Sequence, residues 1–134
     1  MSPYINNGCD HYQESNVALS SPLGLTVLLY TEFLCCLSVS KGAFLMNNDQ
    51  ARNKNLSKAI EILVELAVSL DRERGGQVGF FLALLYEYIT VKLLLLRREP
   101  TLERFDEIIR LMTPLKQAWE TIAVPNLPSN MATV

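Results

Sequence analysis

The stretch LSKAIEILVELAVSLDRERGGQVGFFLALLYEYITVKLLLLRREP, residues 56–100, decides the fold. Its first part sets Leu56, Ile60, Leu63, Ala67 and Leu70 at spacings of 4, 3, 4 and 3, the heptad seam of a helix packed on one side. Lys54, Lys58, Glu61 and Glu65 repeat at the same pitch on another face, which reads as solvated. Gly75 and Gly76 then end the helix and reverse the chain, since glycine enters the left-handed conformation that closes a helix without steric cost. Another helix follows over residues 77–98, with Val78, Leu82, Leu85, Ile89, Leu93 and Leu96 as its core stripe and Arg97 and Arg98 in its last turn.

The same helix carries a second apolar stripe, Phe80, Leu84, Tyr88, Val91 and Leu95, offset from the first. A helix apolar on two faces is either the most buried member of a bundle or one wall of a groove for a partner's amphipathic segment. Periodicity alone leaves both open.

Working outward, Ser20, Ser21 and Pro22 form a helix start signal, and a first helix is predicted over residues 21–46. Asn47, Asn48 and Asp49 separate it from the next. Downstream, Pro100 stops the third helix and Thr101 caps a fourth, with Glu103 and Asp106 near its positive end. Phe105, Ile108, Met112, Leu115, Trp119 and Ile122 give that helix a second heptad seam. Pro114 should bend it or remove one backbone hydrogen bond. The predicted organisation is all-α: a mobile N-terminal arm at 1–19, an antiparallel up-and-down four-helix bundle at 20–123, and a disordered tail at 124–134.

A chain of 134 residues fits one domain. With net charge -2, 49% hydrophobic and 19% charged residues, it lacks the basic stripe that nucleic acid requires. The apolar stretches at 23–37 and 78–96 are interrupted by Glu32 in one and by Glu87 and Lys92 in the other, so neither is expected to insert in a membrane. No basic start followed by an apolar run opens the chain, which points to the cytoplasm. Three reduced cysteines are expected there, and the adjacent Cys35 and Cys36 are poorly placed to bridge each other.

Catalytic chemistry finds little to stand on. A metal site in a bundle core needs inward carboxylates paired with histidines, and the single histidine, His11, falls in the arm. A Ser-His or Cys-His nucleophile lacks its base for the same reason. Glu61 with Glu65, and Asp106 with Glu107, read as solvated surface, while Tyr86, Tyr88 and Trp119 read as core or rim. No enzymatic activity, cofactor or metal is expected.

The residues from Leu56 to Val78 resemble a pattern of the flagellar secretion chaperone family: a Lys-Ala pair, an apolar run, Ser-Leu-Asp, an acidic residue and Gly-Gly. Leu85-Tyr86-Glu87-Tyr88 and Ala118-Trp119 continue the resemblance in order. Upstream, Tyr12-Gln13 with Val17, Ser20-Ser21-Pro22 and Leu28-Leu29-Tyr30 are similar to that family's tyrosine arm, helix start and Leu-Tyr motif. Phe81 and Val91 stand where the family usually carries asparagine and arginine, which makes this surface more apolar.

The resemblance implies a four-helix bundle that binds the C-terminal segment of flagellin in the cytosol, prevents its premature polymerisation and presents it to the flagellar export gate. It also implies that the arm, anchored by Tyr12 and Val17, plugs the client groove when the bundle is empty. Phe80, Leu84, Tyr88, Val91 and Leu95 are then the candidate client-binding residues. The alternative is a structural bundle without a secreted client, whose second stripe pairs two copies in a homodimer.

Overall fold

The computed structural model describes residues 21–73 and 76–123, and the side chains of 71–73 are not among the described features. Four helices follow in chain order: α1 (Pro22–Leu45), α2 (Asp49–Glu73), α3 (Gly76–Arg98) and α4 (Leu102–Ala123). The predicted arm, including Tyr12 and Val17, and the tail at 124–134 lie outside the described residues.

The helix ends follow their local chemistry. The Ser21 hydroxyl accepts the Gly24 N–H at 2.9 Å, ahead of Pro22 in the first turn. Asn47 takes a positive φ of 59° after α1, a role asparagine tolerates, and the Asn48 side chain then caps α2 by accepting the Ala51 N–H at 3.1 Å. Gly76 opens α3 at φ 75°. Thr101 caps α4 by accepting the Arg104 N–H at 3.1 Å. Pro114 stands inside α4, on its exposed side, without interrupting the helix.

The helices pack in an up-down-up-down ring. Ser40, late in α1, donates to the Arg52 carbonyl, early in α2, at 3.0 Å, and Lys41 pairs with Asp106, early in α4, at 2.7 Å. Arg52 reaches the C-terminal end of α3 through the Arg97 carbonyl and also pairs with Asp49 at 2.7 Å. Each helix therefore runs opposite to its two neighbours, and α1 lies diagonally across from α3. Of the adjacent pairs, α1 with α2 is the closest and α3 with α4 the loosest.

The core runs through all four helices, with Phe33 and Leu37 of α1, Leu56, Leu63 and Leu66 of α2, Ile89 and Leu93 of α3, and Phe105, Ile108 and Met112 of α4 fully or nearly fully buried. The heptad seams are only partly right. On α2, Leu56, Leu63 and Leu70 are buried, Ile60 and Ala67 are half-buried, and Ala59, Ile62 and Leu66 complete the face. A helix packed on two neighbours needs a wider stripe than a two-stranded seam.

Lys58 is a correction too. It is buried rather than solvated, in the company of buried Glu32, and the two opposite charges both act on the Cys36 thiol. Burial first, and Glu32 second, push that thiol up to about 12. Cys36 is a free thiol, as expected of it.

By length and composition, α1 and α3 could each cross a membrane. The interruptions noted in the sequence are thus sparser than a strict criterion requires. Glu87 lies exposed at the middle of α3, where a spanning helix would set a carboxylate at the bilayer midplane, at a cost of several kcal/mol.

At the centre of the bundle the Tyr30 and Tyr86 hydroxyls share a hydrogen bond of 2.6 Å across the α1–α3 diagonal. The Trp119 indole hydrogen-bonds to Tyr30 as well, its ring centroid 6.5 Å from that of Tyr30. Burial raises the pKa of both phenols. Their folded values lie above the ordinary 10.0, so their contribution to stability is intact below that pH and declines as pH rises beyond it. Tyr30→Phe strips a partner from both Tyr86 and Trp119 and should cost about 1–3 kcal/mol in urea denaturation. Tyr86→Phe leaves Tyr30 with Trp119 and should cost less; equal losses would show that the indole bond contributes nothing.

Candidate binding surface

The residues that α3 turns toward the bundle are Gly79, Leu82, Tyr86, Ile89, Leu93 and Leu96. Tyr86 thus takes a core position that periodicity had given to Leu85, which is half-buried, and Val78 is 65% exposed. At 100° per residue, Phe80, Leu84, Tyr88, Val91 and Leu95 fall on the opposite side of the helix. They are correspondingly open: Phe80 is 68% exposed, Val91 57%, Leu84 51% and Tyr88 44%, and Leu95 is half-buried. The reading of α3 as the most buried helix therefore fails. Its second stripe is an outward apolar face.

Two flanks widen this face. Toward α2, Leu94 is exposed, as are Val64 and Val68 on α2 itself. Toward α4, the first turns of α3 and the last turns of α4 part to leave an apolar cleft of about 370 Å³. Val78, Phe81 and Leu82 form one wall, and Leu115, Ala118, Trp119 and Ile122 the other, with Gln77 at the rim. Ile122, assigned to the core by its heptad position, is 50% exposed here because α3 and α4 meet too loosely to cover it. Nothing in the heptad pattern separates a residue lining a cleft from one filling a core; Val78, Phe81 and Ile122 were legible as apolar but not as a site.

The polar groups beside the face hold it in place. The Tyr88 hydroxyl donates to the Glu107 carboxylate at 2.5 Å, and Lys92 pairs with the same carboxylate at 3.5 Å while lying 5.2 Å from the Tyr88 ring centroid. Asp106 and Glu107 are thus half-buried members of ion pairs, whereas Glu61 and Glu65 are exposed as expected. On the α2 side Arg97 hydrogen-bonds to Ser57. An arrangement of this kind offers shape and apolar surface, with hydrogen-bonding groups confined to the edge, which suits a partner's amphipathic segment.

A family model described as Flagellar protein FliS matches residues 5–126. The chain belongs to the FliS family. Its relatives include the flagellar secretion chaperone FliS of Escherichia coli K12, 33% identical over 117 residues that make up 85% of either chain. The flagellar secretion chaperone FliSB of Pseudomonas aeruginosa is 32% identical over 112 residues, 82% of this chain and 87% of its own. The flagellar secretion chaperone FliS of Campylobacter jejuni is 28% identical over 111 residues, 83% of this chain and 87% of its own. The resemblance of the Leu56–Val78 segment to this family is thereby established as kinship, and the family is one of flagellar export chaperones.

The Tyr88 bond is the leading reason that the Glu107 carboxyl sits below its usual range, with Lys92 acting in the same direction. The link from α3 to α4 therefore holds while Glu107 is ionised and loosens as pH falls through its lowered folded value. Tyr88→Phe should raise the Glu107 midpoint toward the ordinary glutamate range in a carboxyl-carbon NMR titration. An unchanged midpoint would place the cause elsewhere.

Proposed function

We propose that this protein is a cytoplasmic export chaperone that binds the C-terminal segment of flagellin, keeps it from polymerising prematurely and delivers it to the flagellar export apparatus. The observation that carries the reading is the outward face of α3, a band of exposed apolar side chains in a member of a secretion chaperone family. An apolar surface of this extent on a folded protein marks a place where another chain docks. The client's apolar helical face lies along Phe80, Leu84, Tyr88, Val91 and Leu95, and its binding requires neither a catalytic group nor a cofactor.

In the same reading the arm regulates access. Tyr12 and Val17 are apolar anchors in a segment rich in polar and turn-forming residues. Burying each contributes on the order of 1–3 kcal/mol before the ordering of the arm is subtracted, so docking is reversible. A client must displace the plug, and its apparent affinity falls with the fraction of chaperone already plugged.

Calorimetric titration with a flagellin C-terminal peptide tests both parts. Leu84→Glu and Val91→Glu change exposed positions, so the bundle should keep its melting temperature while peptide affinity falls about tenfold or more, about 1.4 kcal/mol. Removal of residues 1–16 should tighten binding. Undiminished affinity in both glutamate variants would remove the α3 face from the client site. If those variants instead turn a dimer into a monomer in ultracentrifugation, with no peptide bound by either form, the homodimeric reading replaces this one.

A further inference from the structure

We propose that the cleft between the start of α3 and the end of α4 is a docking site for the chain's own C-terminal segment, residues 124–134. The cleft adjoins the outward stripe but shares no residue with it. Three of its apolar side chains, Val78, Phe81 and Ile122, are half or more exposed, which leaves a concave apolar surface in need of cover.

The position of the segment selects it as the occupant. Ala123 ends α4 directly beside Ile122, so the segment is attached at the mouth of the cleft. By sequence, Pro125 and Pro128 each bias the residue before them, Val124 and Leu127, away from helical geometry. From Ala123, the four residues to Leu127 reach roughly 13 Å when extended. The α4 wall from Leu115 to Ile122 spans seven residue steps, a rise of roughly 10 Å. Leu127 can therefore reach any point of the cleft by folding back, and Met131 follows within reach. The segment contains no charged side chain, so none has to be desolvated.

Tethering makes this docking effective even when it is weak. A short linker sets the local concentration on the order of millimolar, so a segment of millimolar intrinsic affinity occupies the cleft about half the time. The docking itself does not depend on the flagellin reading. Its consequence does: a client segment that extends from the outward stripe into the cleft has to displace the tail, which discriminates against weak ligands.

The cleft carries its own reporter, since Trp119 lines one wall and is the only tryptophan in the chain. Acrylamide quenching of its fluorescence is compared in the full chain, a chain ending at Ala123, and the full-length double variant Leu127→Ser/Met131→Ser, with no flagellin present. The double variant leaves α4 untouched, so it reads the cleft even if the shortened chain melts early. Quenching should rise about twofold in both, for a segment docked about half the time, and a peptide of residues 124–134 should reverse the rise in the shortened chain. Unchanged quenching in the double variant overturns the proposal. So does a response that varies with protein concentration, which points to a second copy, or one that appears only when residues 1–20 are removed, which points to the arm.

Discussion

A helix surrounded by two neighbours and one diagonal partner can bury only part of its circumference, and α3 is apolar around nearly all of it. That mismatch governs the rest of the molecule. The inward side chains from Leu82 to Leu96 satisfy the core, and whatever apolar surface remains must meet solvent or another chain. Because α3 also meets α4 only loosely, the surplus extends from the outward stripe into the cleft. A binding protein whose surface is a continuation of its core gains affinity from the same apolar burial that folds it, and the cost is an exposed face whenever no partner is present.

The angular setting of α3 decides which residues are surplus. The hydrogen bond between Tyr30 and Tyr86, with Trp119 beside it, places a polar contact on the bundle axis that an all-aliphatic core would lack. A rotation of α3 by one residue, about 100°, would carry Tyr86 out of reach and leave the Tyr30 hydroxyl with Trp119 as its remaining partner. The bond therefore ties the rotation of α3 to α1, and through it the outward aim of Phe80, Leu84 and Val91. Tyr88, held to Glu107 on α4, fixes the same helix from its outer edge.

Much of this was written in the sequence. Ser21-Pro22, Asn47-Asn48, Gly76 and Thr101 act within a turn of their own position, so the four helices and their ends follow from local chemistry, and the order of motifs from Leu56 to Trp119 identified the family. The apolar character of Phe80, Leu84, Tyr88, Val91 and Leu95 was equally plain. Period and propensity report how a helix is patterned along its length. They do not report how many neighbours it has or how closely each approaches, and those are the quantities that tertiary packing sets. For that reason only the folded bundle could bury Lys58 beside Glu32, move the core stripe of α3 from Leu85 to Tyr86, leave Val78 and Ile122 in an open cleft, and turn the second stripe of α3 outward.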